Sequence, residues 1–237
     1  FACRASSVFA QEARLAAYPP QGPEAAVSTG HQRVVHGPDG KPLALQTVAE
    51  VEEFLRTARV IDVEAIPEGV TKPKKVLLEA NGVQAHAKFG YNDFKGQGEK
   101  LADGTTEMYF QDSYKADMAA SVLSRMLGMD MVPPTAYKRN LTLGGTHFAE
   151  GALVHWVDGA HSLRGVASRL WSPSKEAFSS DLRVLQMIGR DADHENGKNI
   201  VRGKHWKDGK WRVMKLDNEA CGRRGARVEL GYSSATW

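Results

Sequence analysis

The dipeptide Asn81-Gly82 constrains the folding of this chain more than any other feature. It separates two short apolar runs, Lys75 to Glu79 (Lys-Val-Leu-Leu-Glu) and Val83 to Phe89 (Val-Gln-Ala-His-Ala-Lys-Phe). A two-residue hairpin turn of the favoured hand needs positive φ at both central positions, and Asn and Gly adopt it at least steric cost. The spacing therefore predicts a β-hairpin. A third, β-branched run from Val60 to Ile66 ends at Pro67-Glu68-Gly69 and reaches the hairpin through residues 68–73. Three antiparallel strands are expected.

Helical patterns flank these strands. One begins near Thr47, where Val48, Val51 and Leu55 recur at helical spacing. Another runs from Ser113 to Gly128, with Met118, Ala119, Val122, Leu123, Met126 and Leu127 as its expected apolar stripe. Gly128 suits the left-handed residue that closes a helix, and Met131-Val132-Pro133-Pro134 predicts an extended exit. Residues 148–157 read as a strand. A further helix is expected over 175–188, with Phe178, Leu182, Leu185 and Ile188 on one face. It leads into the polar run Asp191-Ala192-Asp193-His194-Glu195-Asn196-Gly197. Strands over 199–202 and 211–216, joined around Asp208-Gly209, then deliver Asp217 at the end of the second.

The rest of the composition mainly excludes. A net charge of +3 and a pI near 8.8 suit an anionic ligand. The densest basic run, Lys72, Lys74 and Lys75, is too short for a nucleic-acid surface. No stretch approaches the roughly 18 to 20 apolar residues of a membrane span. Cys3 and Cys221 cannot form a zinc site by spacing. Residues 10–45, rich in Pro, Gly, Ala and polar side chains, read as a linker arm. The first residue is Phe1, and Ser6 to Gln11 weakly resembles the end of a signal peptide. A processed or partial, exported chain is the expectation. The sequence carries no signature of oligomeric state.

The order of the parts points to chemistry. A glycine-bearing connection (Gly69) precedes a strand holding one lysine, Lys88, and a helix carrying Asp117 follows. Later a helix ends at the loop holding Asp193, and a hairpin ends on Asp217. Phosphoryl transfer needs such pieces: a backbone cover for phosphates, a fixed cation and metal-holding carboxylates. A lone strand lysine is most often solvent-facing, but this order favours Lys88 as a point charge for the α- and β-phosphates. Asp117 orients Lys88 in this reading, although alone it would be read as compensating a helix dipole, worth a few tenths of a kcal/mol. Asp193 would accept or orient the proton of the attacking hydroxyl. Asp217 would ligate a metal bridging the phosphates, with Asn199, or less readily Asn196, at a second metal.

Two sets of residues resemble a known family. The run Tyr114 to Gly128, followed by Val132-Pro133-Pro134-Thr135, is similar to the Golgi casein kinase family of secretory-pathway kinases, where the same helix carries an acid before two alanines. The loop from Asp191 to Asn199 and Lys215-Leu216-Asp217 are similar to the catalytic and metal-binding motifs of that family and, more distantly, of phosphatidylinositol 3/4-kinase-like enzymes. The resemblance covers roughly residues 50–222. It implies ATP with Mg or Mn, Lys88 as the nucleotide-binding lysine, Asp117 as its paired acid, Asp193 as the catalytic aspartate and Asp217 as the metal-binding aspartate.

The expectation is an α+β, bilobal, atypical protein-kinase-like fold with an antiparallel-sheet N-lobe and a partial, mainly helical C-lobe. A signal remnant and linker arm would occupy 1–45, the N-lobe 46–135 and the partial C-lobe 136–237; only 20 residues follow Asp217. The expected activity is transfer of the ATP γ-phosphoryl group to a hydroxyl acceptor on a protein, such as serine, or on a small molecule. Two alternatives stand beside it. One is a catalytically inactive pseudokinase or interaction module, motivated by Asp117 and His194. The other is a metal-dependent hydrolase built on Asp191, Asp193, His194 and Glu195.

Overall fold

The computed structural model describes residues 36–37, 41, 43–66, 72–96, 99–100, 104, 106–107, 111–163, 181–185, 188, 199–207 and 209–217. Every described residue belongs to one compact unit, Gln32–Trp237.

Helix α1, Val48–Thr57, starts on a complete capping box. The Thr47 hydroxyl accepts from Glu50 N at 3.1 Å, while the Glu50 carboxylate accepts from the backbone of Gln46 and Thr47 at 2.6 and 2.7 Å. These contacts satisfy N–H groups that the first helical turn leaves without internal partners. They also hold the Glu50 carboxyl below its ordinary pKa, the Gln46 backbone bond contributing most.

Strands β1 (Arg59–Ala65), β2 (Lys74–Ala80) and β3 (Val83–Gly90) form where the apolar runs predict them, all antiparallel. Asn81 and Gly82 take φ of 51° and 76°, and Ala80 faces Val83 across the turn. This is the geometry that the dipeptide demands. Short strands follow: β4 (Asp93–Lys95) pairs with β7 (Gln111–Ser113), and β5 (Glu99–Lys100) pairs with β6 (Thr106–Glu107). Helix α2, Tyr114–Met126, comes next, closed by Gly128 at φ 70°.

After α2 the chain builds a hairpin of which only the second arm was legible. Strand β8, Thr135–Leu143, turns at Gly144-Gly145 into β9, Thr146–His155. The five-stranded sheet runs β1-β2-β3-β9-β8, so strands from before and after α2 share one sheet. Strand β9 approaches β3 so closely that a Cβ on Gly151 would lie 2.5 Å from the Phe89 ring and 2.6 Å from the Gly90 carbonyl oxygen. A second sheet orders β10 (His161–Ser162), β11 (Ile200–Lys204) and β12 (Trp211–Lys215). Trp211 is exposed at its edge, stacked beside His161 and under Arg202. The architecture is mixed α+β.

One face of the main sheet, with Val76, Leu78, Ala85, Ala87 and Phe89, packs with Val51, Phe54 and Leu55 of α1 into the larger core. The opposite face of β3 carries Gln84, His86 and Lys88, as its alternation predicts. Helix α2 departs from expectation. Its buried positions include Ala116, Asp117, Ala120, Ser121 and Ser124, whereas Val122, Met126 and Leu127 are exposed. The small polar face is buried because the return loop satisfies it. Ser121 Oγ donates to Pro133 O at 2.8 Å, and Ser124 Oγ accepts from Met131 N and Val132 N at 3.0 and 3.3 Å. A buried hydroxyl is tolerated when its bonds are made, so small hydrogen-bonded side chains outcompete the bulkier stripe at this close packing. Residues 181–185 are helical, with Leu182 and Leu185 buried, while Ile188 is exposed.

Candidate functional site

Lys88 stands at the meeting of three elements. Strand β3 places it opposite Lys75 of β2 and Val154 of β9, on the face away from the α1 core. Its Nζ lies 2.8 Å from Asp117 Oδ2 on α2 and 3.5 Å from Asp217 Oδ1 beyond β12. The contact with Asp117 is a charge pair at close range. Three residues spread over 130 positions of sequence are thereby brought to one point.

The two carboxylates differ in environment. Asp117 sits in the first turn of α2 with its side chain only 3% exposed, where the helix dipole favours a negative charge. Asp217 has a side chain 49% exposed and a left-handed backbone, φ 52°. A non-glycine residue in that conformation costs on the order of 1 kcal/mol, and Asp is among the residues that tolerate it best.

The surroundings show how Asp217 is held there. Lys215, fully buried, donates from Nζ to the carbonyl oxygens of Leu216 and Asp217, each at 3.0 Å. Backbone bonds fix the same segment: Lys215 N donates to Met131 O at 2.9 Å, and Leu216 N donates to Asn199 O at 2.7 Å. The last bond extends the β11–β12 pairing by one step and brings Asn199 beside the residue that precedes Asp217. Nothing in the sequence marks Lys215 as buried, because a lysine ending a strand ordinarily reads as solvent-facing.

Neighbouring groups extend the polar face. His86 Nδ1 lies 2.9 Å from Asp158 Oδ1, in the turn after β9, and Lys75 lies over the Trp156 ring at 5.5 Å. Of the residues singled out from sequence, Lys88, Asp117 and Asp217 come together, with Asn199 adjacent in the backbone. Asp193 and Gly69 lie outside the described residues, as do Asp191, His194, Glu195 and Asn196. Among the described residues no group of three or more His, Cys, Asp or Glu is arranged to hold a metal, and no helix is long and apolar enough to cross a membrane.

No protein-family model and no curated protein matches this chain. Solved structures similar to it include the three that follow. The structure of hydra Fam20 with sugar shares 15% identity at a TM-score of 0.49, covering 74% of this chain and 66% of that one. A Golgi casein kinase shares 12% identity at a TM-score of 0.44, covering 73% and 56%. The Golgi casein kinase with Mn/ADP bound shares 11% identity at 0.44, covering 73% and 57%. This chain thus spans less than two thirds of each, and at such scores the likeness carries no assignment of chemistry.

Proposed function

We propose that this chain is an atypical kinase, an ATP- and metal-dependent phosphotransferase acting on a hydroxyl acceptor such as a protein serine. One observation carries the reading: Lys88, on the sheet face away from α1, is met by a buried helix carboxylate and a half-exposed strand-end carboxylate. A buried pair presents a cation in one position, which suits a phosphate clamp better than a freely rotating side chain does. Asp217 retains solvent access, as a group waiting for an external ligand should.

The donor chemistry fits the metal. A carboxylate from Asp217 and an amide oxygen from Asn199 are hard oxygen ligands, and Mg or Mn takes most of its remaining positions from phosphates and water. When bound, such an ion would neutralise charge on the transferring phosphoryl group. Lys88 holds the non-transferred phosphates, Asp117 keeps Lys88 in place, and Asp193 takes the acceptor's proton. Gly69 lends backbone cover. The lobe division is proposed in the same terms, with β8 and β9 joining the first lobe because they share its sheet.

The test is thermal unfolding with ATP or ADP and Mn or Mg, in wild type, Lys88→Ala and Asp217→Asn. A ligand at a hundredfold excess over its Kd stabilises the native state by about 2.7 kcal/mol. Wild type should show this only with metal, and both variants should lose it. A cooperative wild-type melt that ignores nucleotide and metal would sink the proposal and leave the interaction-module reading.

A further inference from the structure

We propose that Lys215 is a positioning residue whose buried ammonium sets the pose of the Asp217 carboxylate, locked to helix α2 through Met131 and Ser124. The inference rests on the reading of Asp217 as a metal ligand and names what holds it. A chain of contacts connects the two acids around Lys88. Asp117, Ser121 and Ser124 share the buried face of α2, four and seven residues apart. Ser124 Oγ accepts from Met131 N, Met131 O accepts from Lys215 N, and Lys215 Nζ caps the carbonyls of Leu216 and Asp217. Both ends of this path return to Lys88, at 2.8 and 3.5 Å.

The physical reason is specific to the conformation of Asp217. A left-handed residue turns its carbonyl out of the strand ladder, and here the Lys215 ammonium meets that oxygen at 3.0 Å. The Lys215 ammonium supplies donors for that oxygen and the preceding one together, and so holds the turn in this pose. An apolar side chain of similar length would fill the space and leave both carbonyls without their donor. Asp217 would then relax toward the strand conformation, carrying its carboxylate off Lys88. Burying an ammonium is costly unless such acceptors meet it, which is why its complete burial here fits a positional task.

The experiment compares Lys215→Met, Lys215→Arg and Ser124→Ala with wild type in two readouts. The first is the acylation rate of Lys88 in ligand-free protein, followed by peptide mass spectrometry. Lys138, whose Nζ donates to Arg56 O and Ala58 O away from the site, is the internal control. The second is Mn affinity in the presence of ADP, by electron paramagnetic resonance. Losing one partly exposed ion pair should raise Lys88 acylation in Lys215→Met about fivefold with Lys138 unchanged. Losing an orienting group should weaken Mn about tenfold or more. Lys215→Arg should restore most of both. An unchanged Lys88 rate in Lys215→Met overturns the inference, whatever the metal does. A raised rate in a protein whose wild type binds no Mn with ADP sinks the kinase reading and leaves the positioning role standing. If Lys215→Met does not fold cooperatively, Ser124→Ala decides, with about a twofold rise expected from loss of one buried hydrogen bond and an unchanged rate counting against.

Discussion

Asp117 and Asp217 approach the same ammonium from opposite regions, and they are not equivalent. Asp117 is buried on a helix and makes the closer contact, while Asp217 is half-exposed at a strand end and stands farther off. A charge pair removed from water is strongly coupled to the fold, whereas a solvated one contributes little and remains available to a ligand. The difference separates a structural acid from a candidate ligand-binding acid, although both look alike in the sequence.

Asp117→Ala tests the buried side most severely. It would leave Lys88 desolvated with its nearest counter-charge gone, and about 3 kcal/mol of stability should be lost, measured by urea unfolding. A loss below about 1 kcal/mol, the range of solvated pairs, would erase the distinction between the two acids.

His155 of β9 lies opposite Ala87, on the sheet face away from Lys88, and reports on the buried core there through pH. Burial pushes its pKa down from 6.5 to about 4. Between these values the unfolded chain binds more protons than the folded one. Stability should therefore be flat above pH 6.5 and fall as pH drops toward 4. The total loss is on the order of 3 kcal/mol, at about 1.4 kcal/mol per pH unit. His155→Leu should flatten the profile in that window, and an unchanged slope would show that the imidazole is hydrated.

The exposed side predicts smaller effects. Asp217→Asn keeps a residue that tolerates positive φ, so its stability without ligand should stay within about 0.5 kcal/mol of wild type. The same variant is the one expected to lose metal-dependent stabilisation. Met126→Ser, on the exposed face of α2, should change stability by less than about 0.5 kcal/mol in a thermal melt. A cost of about 2 kcal/mol would restore Met126 to a packed stripe.

How much could be read beforehand varied with the range of the interactions involved. The β2–β3 hairpin and the start of α1 near Thr47 were legible because turn preferences and side-chain periodicity act within a few residues. Lys88 and its face followed from alternation along one strand. The first arm of the β8–β9 hairpin went unseen, although Gly144-Gly145 was its signal, because Lys138, Arg139 and Asn140 interrupt the apolar pattern. Of the stripe expected on α2, Leu123 packs inward while Val122, Met126 and Leu127 are exposed, because hydrophobicity alone ignores what a neighbouring loop can satisfy. Ser121 and Ser124 are buried only because Pro133, Met131 and Val132 fold back on them.

The sequence by itself determined the local pieces: a primed hairpin turn, a capped helix, a lysine on one strand face and an acid closing another strand. Each rests on backbone preferences or side-chain periodicity within one element. Tertiary structure decided which carboxylate is buried, which lysine is solvated and which serine is a lock. Those outcomes depend on desolvation and on hydrogen-bond partners distant in the chain, as where Lys215 ties Asp217 to the loop after α2. Whether a polar side chain can be buried is set by what meets it, and folding supplies that partner from elsewhere in the sequence.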